Sequence, residues 1–263
     1  MSRSCPIFDA HFHVIDPEFP LIPNQGYFPD PFTVDDYIAR VKGYDLVGGA
    51  VVSGSFQGFD QTYLVSSLRR LGSGFFGVTQ APATISDEDL IELHDEGVRA
   101  VRFNLRRGGS ESIENLGSMA SRVYELLGWH VELYVDSRSL GELCGVIGGL
   151  PSVSIDHLGL SREGFEAVLG LVERGVKIKA TGFSRVNFPI VDALKRIHEI
   201  NPKSLMFGTD LPSTRAPKPY SHQDLQLIID HFSGADLDNI LYKNAQEFYG
   251  CDPKGGRDVD LNT

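Results

Sequence analysis

The chain has 263 residues, of which 41% are hydrophobic and 22% charged, and its formal net charge is −11. That length and apolar content suffice for one large domain, because α/β barrels of this size fold as a single unit. The acidic balance argues against a nucleic-acid partner, since phosphate recognition needs a basic surface. We therefore expect a small molecule as the partner, and an anionic one is not excluded, because a few arginines can make a pocket locally positive.

The three cysteines, Cys5, Cys144 and Cys251, are widely spaced and form no Cys-x-x-Cys pair. They favour free thiols in a reducing compartment over a disulfide framework. No apolar run is long enough to span a bilayer, and the first residues lack the pattern of a secretory leader. The sequence therefore predicts a cytoplasmic protein without a membrane partner, and it leaves room for a homo-oligomer.

Strand-like and helix-like segments alternate along most of the chain. The first strand is followed by a proline-rich stretch, residues 16–31, which predicts a long functional loop. Thr33 and Ser86 each precede acidic residues and are predicted helix caps. The predicted strands are residues 9–14, 48–53, 75–78, 98–103, 131–135, 153–156, 176–180 and 205–208. The later predicted helices are residues 60–71, 113–127, 139–147, 162–173, 188–200, 223–232 and 239–249.

This alternation predicts an α/β fold built of parallel βαβ units. Eight strands at this length favour a single (β/α)8 TIM barrel. A doubly wound open sheet is the alternative, but the sequence contains no Gly-x-Gly-x-x-Gly turn to support it. We expect residues 1–250 to form the barrel and residues 251–263 to form a polar, mobile tail.

Polar residues concentrate where the predicted strands end, and in a barrel these ends meet at one mouth. His11 and His13 are two apart on the first strand and therefore face the same side. His157 follows the sixth strand and Asp210 follows the eighth. Further polar residues near strand ends are Ser53, Ser55, Arg102, Asn104, Tyr134, Lys179 and Thr181.

Each of these residues also has a structural interpretation. The two histidines of the first strand fit an exposed edge strand, and Asp210 fits a helix cap, although the proline-rich residues after it predict a loop. Tyr134 and Ser53 are ordinary core or loop residues when taken singly. Lys179 fits a solvent-facing position.

Three motifs occur in order: DAHFHV at residues 9–14, SIDHLG at residues 154–159 and MFGTDLP at residues 206–212. With them the chain resembles the amidohydrolase superfamily from Phe8 to Tyr249. GVRAVRFN at residues 97–104 and the Tyr27-Phe28-Pro29 turn are similar to one branch, which contains 2-pyrone-4,6-dicarboxylate lactonases and sugar lactonases. Tyr134 also favours this branch, because it stands where other members have a metal-binding histidine.

The resemblance implies the hydrolytic opening of a carboxylated lactone. Asp210 would be the base that activates water, and His11, His13 and His157 would polarise the attacked carbonyl, directly or through a metal. The substrate contacts implied by the resemblance come from Tyr27, Ser53, Arg102, Arg106 or Arg107, Tyr134 and Arg185. Arginine suits this role because its planar guanidinium binds carboxylates bidentately. For Arg106 and Arg107 the alternative is a solvated turn.

By the same resemblance, the three histidines and Asp210 would hold at most one divalent ion such as Zn²⁺, and a metal-independent reaction stays open. The fourth strand ends without a lysine that could bridge two metals. His130 lies at the beginning of the fifth strand, the wrong end of the barrel. A binuclear site is therefore not expected.

Two other functions are compatible with these residues. One is metal-dependent decarboxylation, which relatives in the same superfamily carry out. The other is a barrel that binds a ligand without catalysis, against which the presence of all four polar groups argues, although fold alone does not determine function.

Overall fold

The computed structural model of the chain describes residues 5–250. The predicted tail, residues 251–263, and Cys251 lie outside the described residues. Within this range, no helix is long and apolar enough to cross a membrane.

Eight parallel strands pair in chain order, which confirms the predicted (β/α)8 barrel. The strands are β1 (Pro6–Phe12), β2 (Asp45–Val52), β3 (Phe75–Thr79), β4 (Val98–Asn104), β5 (His130–Tyr134), β6 (Val153–Ile155), β7 (Lys177–Ala180) and β8 (Leu205–Phe207). Contacts just beyond β8 bring the last strand to the first. The Asp210 amide donates to the His11 carbonyl at 2.7 Å, and the Thr209 amide and hydroxyl donate to the Asp9 carboxylate at 2.8 and 2.7 Å.

The helices surround this barrel at the predicted places. They are α1 (Val34–Val41), α2 (Thr62–Leu71), α3 (Asp87–Asp95), α4 (Leu116–Leu127), α5 (Leu140–Ile147), α6 (Phe165–Glu173), α7 (Ile190–Ile200), α8 (His222–His231), α9 (Gly234–Asp238) and α10 (Asn244–Tyr249). Thr33 caps α1 as predicted, because its hydroxyl accepts from the Asp36 amide while the Asp36 carboxylate accepts from the Thr33 amide. The segment predicted as one helix from 239 begins with a π-helical turn, Asn239–Lys243.

The lower barrel interior is apolar and tightly filled. The strands contribute mostly small or medium-sized side chains to it, and aromatic rings fill its base. There Phe8 stacks on Tyr249 of α10 with ring centroids 5.4 Å apart. Burial of such surface is the main favourable term in folding. Most polar side chains lie toward the carboxyl ends of the strands, but buried polar groups also reach the base, where the Tyr249 hydroxyl donates to Glu132 and the His130 ring lies 4.8 Å from the Tyr249 ring.

A bulge in β1 aims its histidines. The pairing of β1 with β2 shifts between Asp9 and Phe12, so Ala10 packs in the interior while Phe12 packs outward against Tyr37. Bulges commonly redirect side chains beside active sites. Here the bulge turns His11 into the barrel directly after the inward-facing Ala10.

Candidate active site

Three histidines and one carboxylate converge at the mouth. The Nε2 atoms of His11, His13 and His157 lie 3.9, 3.8 and 3.9 Å from Oδ1 of Asp210, and all four residues are buried. His157 and Asp210 have φ angles of 52° and 60°. Such left-handed conformations cost energy for residues other than glycine and cluster at functional sites. The two strand ends are thus bent to bring these side chains together.

Hydrogen bonds fix which imidazole nitrogens face Asp210. His13 Nδ1 lies 2.7 Å from the Val52 carbonyl, which only accepts, so Nδ1 carries the proton and Nε2 presents a lone pair. His11 Nδ1 lies 3.4 Å from Asp156 Oδ1 and 3.5 Å from Lys179 Nζ, so its neighbours do not fix its tautomer in the way that Val52 fixes that of His13. Burial is the largest cause that lowers the pKa of His11, His13 and His157. The three rings are therefore neutral at pH 7.

The residue set fits one divalent metal ion. His11 Nε2 and Asp210 Oδ1 are buried without a hydrogen-bond partner in the described part of the chain. Lone pairs of neutral imidazoles that face a carboxylate oxygen repel it unless a cation or a proton lies between them. Three nitrogens and one oxygen suit Zn²⁺, whose tetrahedral ligands lie about 3.4 Å from one another at bond lengths of about 2.0–2.1 Å. His11, His157 and Asp210 each offer a ligand atom within 4.8 Å of the other two. His13 is outside this group, although its Nε2 lies 3.8 Å from Asp210 Oδ1.

A second cluster of ligand types lies deeper, formed by His11, Glu132 and Asp156. Lys179 Nζ lies 2.5 Å from Glu132 Oε2 and 4.0 Å from Asp156 Oδ1, so an ammonium group already neutralises these carboxylates. A second metal there would compete with this fixed positive charge. The expectation of no more than one metal stays a prediction, and this positive charge supports it.

Arg185 holds the other oxygen of Asp210. Its Nε and Nη2 atoms lie 2.8 Å from Asp210 Oδ2, and Nη2 also donates to the Thr214 carbonyl at 2.8 Å. The carboxylate is thereby oriented with Oδ1 toward the histidines. Charge-assisted bonds of this kind are short and strong.

A narrow cavity with a free volume of about 30 Å³ opens above this cluster. It is lined by His13, Gly54, Ser55, Phe56, Arg102, Asn104, Arg107, Tyr134, His157, Arg185, Asp210, Thr214 and Arg215. Six predicted site residues are among them, and His11 lies just beneath. Four of the lining residues are arginines, whereas Asp210 is the only acid, so the cavity favours anions.

Ser53 and Tyr27 lie outside this lining. The Ser53 hydroxyl is hydrogen-bonded to Tyr63 at 2.7 Å, and its carbonyl accepts from Arg102 Nη1 at 2.6 Å. The Tyr27 ring lies at the rim under the Arg215 guanidinium, 4.3 Å from the ring centroid. A direct substrate contact by either residue stays a prediction.

The sequence predicts that one of Arg106 and Arg107 contacts the substrate, and the structure places the two side chains differently. Arg107 lines the cavity, whereas Arg106 is exposed and lies farther out. Arg102 also reaches the cavity, but its Nη2 is bound to Asp156 Oδ2 at 2.8 Å, and its Nε has no partner within residues 5–250. Arg102 thus neutralises Asp156, and its Nε donor has no partner among the described residues.

Glu132 and Arg215 are charged residues at the site that were not predicted from the sequence. Glu132 is fully buried within β5 and forms an ion pair with Lys179, which is also fully buried. The interpretation of Lys179 as a solvent-facing residue is therefore wrong. The sequence contained a signal for this pair, because a charged residue inside an apolar parallel strand needs an opposite charge across the barrel. Although burial opposes it, the Lys179 ammonium holds the pKa of Glu132 well below its ordinary value. Arg215 carried no such signal, since it lies in a loop.

His130 has the position predicted for it. It begins β5, and its Nε2 lies 3.1 Å from Glu132 Oε1, on the side of that carboxylate away from the mouth. It therefore takes no part in the histidine cluster around Asp210.

Comparison with known proteins gives a consistent result. The family described as Amidohydrolase matches residues 8–251. A 2-pyrone-4,6-dicarboxylate hydrolase of Comamonas testosteroni is 30% identical over 232 residues, which are 78% of this chain and 76% of that protein. A 4-sulfomuconolactone hydrolase of Rhizobium radiobacter is 26% identical over 238 residues, 80% of each chain.

Solved structures share the fold. A putative 2-pyrone-4,6-dicarboxylic acid hydrolase from Pseudomonas putida superposes with a TM-score of 0.78 at 25% identity, covering 93% of this chain and 97% of that one. A probable 2-pyrone-4,6-dicarboxylic acid hydrolase from Acinetobacter baumannii, with citric acid bound, gives a TM-score of 0.79 at 22% identity, covering 94% and 99%. The second of these similarities concerns the fold alone.

Proposed function

The chain belongs to the amidohydrolase family, and from that premise we propose that it hydrolyses a lactone that carries at least one carboxylate. The observation that carries the proposal is the convergence of three histidine Nε2 atoms on a single free oxygen of Asp210 in a cavity lined by arginines. Two relatives whose names describe hydrolases of such anionic molecules support it.

In this reaction Asp210 acts as the base. Its Oδ1 accepts a proton from water while Arg185 holds Oδ2, and the water oxygen adds to the acyl carbon of the lactone. The ring C–O bond then breaks, and the leaving oxygen takes a proton. The product is an open-chain hydroxy acid or its keto tautomer.

The developing oxyanion needs positive charge or a donor. His13 cannot donate from Nε2, because its proton is on Nδ1. Arg102 lines the cavity, and its buried Nε is a donor without a partner among the described residues. A divalent ion, if held by His11, His13, His157 and Asp210, would supply Lewis-acid polarisation of the carbonyl.

The arginines select the substrate charge. Arg102 and Arg185 are paired with Asp156 and Asp210, whereas Arg107 and Arg215 line the cavity without an ion-pair partner among the described residues, inside a protein whose net charge is negative. A carboxylate on the lactone gains from these guanidinium groups, whereas a neutral ester of the same shape does not. The substrate proposed is therefore anionic before the ring opens.

A panel of lactones tests the function. Carboxylated lactones and their neutral methyl esters would be compared by following proton release and CO₂ in parallel. We expect ring opening with one proton released per turnover, and faster reaction of the free acids. Release of CO₂ would favour decarboxylation instead, and binding without turnover across the panel would favour a non-catalytic barrel.

Metal content is a separate prediction. We expect no more than one divalent ion per chain, since Lys179 occupies the deeper carboxylate cluster. Elemental analysis of the purified protein, with His13→Ala as a variant of reduced occupancy and the exposed His231→Ala as control, measures it. Two tightly bound ions per chain would contradict the site as described.

A further inference from the structure

Asp9 is a fully buried acid at the closing seam of the barrel, where the segment after β8 lies beside β1. It precedes His11 by two residues on β1, and on the other side of the seam Thr209 directly precedes Asp210. Within the described residues, no basic side chain lies within ion-pair distance of the Asp9 carboxylate. A buried carboxylate is costly without a partner, so neutral hydrogen-bond donors must hold it.

Four such donors surround the Asp9 carboxylate. Its Oδ1 accepts from the His11 amide at 3.3 Å and from the Thr209 amide at 2.8 Å. Its Oδ2 accepts from the Thr209 hydroxyl at 2.7 Å and from the Tyr37 hydroxyl of α1 at 3.1 Å. The carboxylate thus joins β1 to the segment after β8 and, by a separate bond, to α1.

The two sides of the seam approach each other closely beside the catalytic groups. The Asp210 amide donates to the His11 carbonyl, and the His13 amide donates to the Leu211 carbonyl, both at 2.7 Å. A Cβ atom on Gly208 would lie 2.8 Å from the His11 amide nitrogen, so glycine is needed for this approach. A shift of one side of the seam along the other would therefore move the His11 and Asp210 side chains relative to each other.

A purely structural tie is the alternative interpretation of Asp9. The Tyr37 bond fits that interpretation, because α1 lies outside the barrel and carries none of the groups that converge on Asp210. The Thr209 bonds differ, because they connect the residue beside Asp210 to the strand that carries His11. The His11 Nε2 atom lies 3.9 Å from Asp210 Oδ1, and a misplacement of about 1 Å at such a site can lower a rate about a hundredfold.

We propose that Asp9 is a positioning residue, which acts through Thr209 to fix the distance between the His11 imidazole and the Asp210 carboxylate. Asp9 does not line the cavity and touches no reacting atom. A carboxylate suits this role because its two oxygens accept all four hydrogen bonds, whereas an amide would turn a donor toward some of these donors. The effect on turnover rests on the proposed function, but the distance itself does not.

Two hydroxyl deletions at the same carboxylate oxygen test the role. Thr209→Val removes the donor at the seam, and Tyr37→Phe, the matched control, removes the donor from α1. A structural tie predicts a lower Tm and an unchanged kcat for both variants. We expect instead that Thr209→Val lowers kcat about tenfold or more at nearly constant KM, and that Tyr37→Phe lowers Tm alone. Thr209→Ser keeps the hydroxyl and should restore the parent rate.

Asp9→Asn separates the carboxylate from the other contact of Thr209. The Thr209 hydroxyl also accepts from the Leu211 amide at 3.2 Å, and Asp9→Asn leaves that bond in place. This variant should lose kcat as Thr209→Val does, and it replaces Thr209→Val if the latter does not fold.

Crystal structures of the variants measure the distance without any substrate. We expect the separation of His11 Nε2 and Asp210 Oδ1 to change by about 0.5 Å or more in Thr209→Val and Asp9→Asn, and to stay as in the parent in Tyr37→Phe. An unchanged separation in the first two variants, or equal losses of kcat in Thr209→Val and Tyr37→Phe, would overturn the positioning role. A changed separation in a protein that hydrolyses no lactone would support that role, and only the proposed function would fail.

Discussion

Charged residues beneath the catalytic cavity and charged residues at its outer edge are arranged in opposite ways. Beneath it, Lys179 and Glu132 form a fully buried pair, and Arg102 binds Asp156. At the edge, Arg107 and Arg215 line the same cavity and form no ion pair with any residue that the structure describes. Tyr134 borders both regions, because its ring centroid lies 5.4 Å from the Arg102 guanidinium carbon and it lines the cavity together with Arg107 and Arg215.

The difference follows from the cost of removing a charge from water. A buried ion that loses its partner is destabilised by several kcal/mol, so interior charges must be matched within the chain. An arginine near water tolerates the lack of a partner at smaller cost and keeps its donors available for a ligand. We therefore expect the lack of an acidic partner to mark the arginines that bind substrate, which neither residue type nor position at a strand end indicates.

Disruption of the buried Lys179–Glu132 pair should cause the largest loss of stability. Lys179→Met leaves Glu132 charged without its ammonium partner, and we expect a loss of about 3–5 kcal/mol in the free energy of unfolding. This corresponds to a decrease in Tm of roughly 10 °C. Lys177→Met, on the same strand but half exposed, is the matched control and should change Tm little.

A double variant sharpens this test. Lys179→Met with Glu132→Gln removes both charges and should recover part of the lost stability. Because Lys179 holds the pKa of Glu132 below its ordinary value of 4.5, the stability due to this pair is present above that value and is lost as the pH falls below it. A Lys179→Met protein as stable as the parent would show that the pair has no structural role.

Substitutions of Arg102 and Arg107 should distinguish an arginine paired with a buried acid from an unpaired arginine at the cavity edge. We expect their effects to be smaller than that of Lys179→Met. Arg102→Met leaves Asp156 without its 2.8 Å partner, although Lys179 and His11 remain near, so we expect a loss of about 2–3 kcal/mol in stability. Activity on charged and neutral lactones should fall equally. Arg107→Met should leave Tm unchanged and reduce only the reaction of charged lactones, by about tenfold.

Thermal melts and kcat/KM on both substrate types decide this comparison. If Arg102→Met is as stable as the parent and loses only charged substrates, Arg102 belongs with the substrate-binding arginines. If Arg107→Met loses stability, the contrast between interior and edge is wrong.

The sequence predicted the barrel and the central cluster well, for identifiable physical reasons. Strands and helices alternate with clear caps and turns, and Asp210 and the histidines lie where parallel strands must end together. The inward aim of His11 also depends on the bulge in β1, which creates a local change of register that alternation alone does not indicate.

Side-chain pairing could not be predicted in the same way. The Lys179–Glu132 contact joins residues 47 apart, and the Arg215–Asn24 contact joins residues 191 apart. Arg215 also has a φ of 57°, which nothing in its loop sequence required. Which arginine meets an acid, and which faces the substrate, is settled by how the loops pack over the barrel.

The role of Asp210 is tested most directly by its amide variant. Asp210→Asn keeps the shape of the side chain but removes the proton acceptor, and the account predicts at least a hundredfold loss of kcat in a protein that melts normally. Asp230→Asn, exposed on α8, is the control and should react at the parent rate. Metal content should be measured on the same sample, so that loss of an ion is not mistaken for loss of the base. A folded Asp210→Asn protein with unchanged metal content and a rate within threefold of the parent would contradict the proposed mechanism.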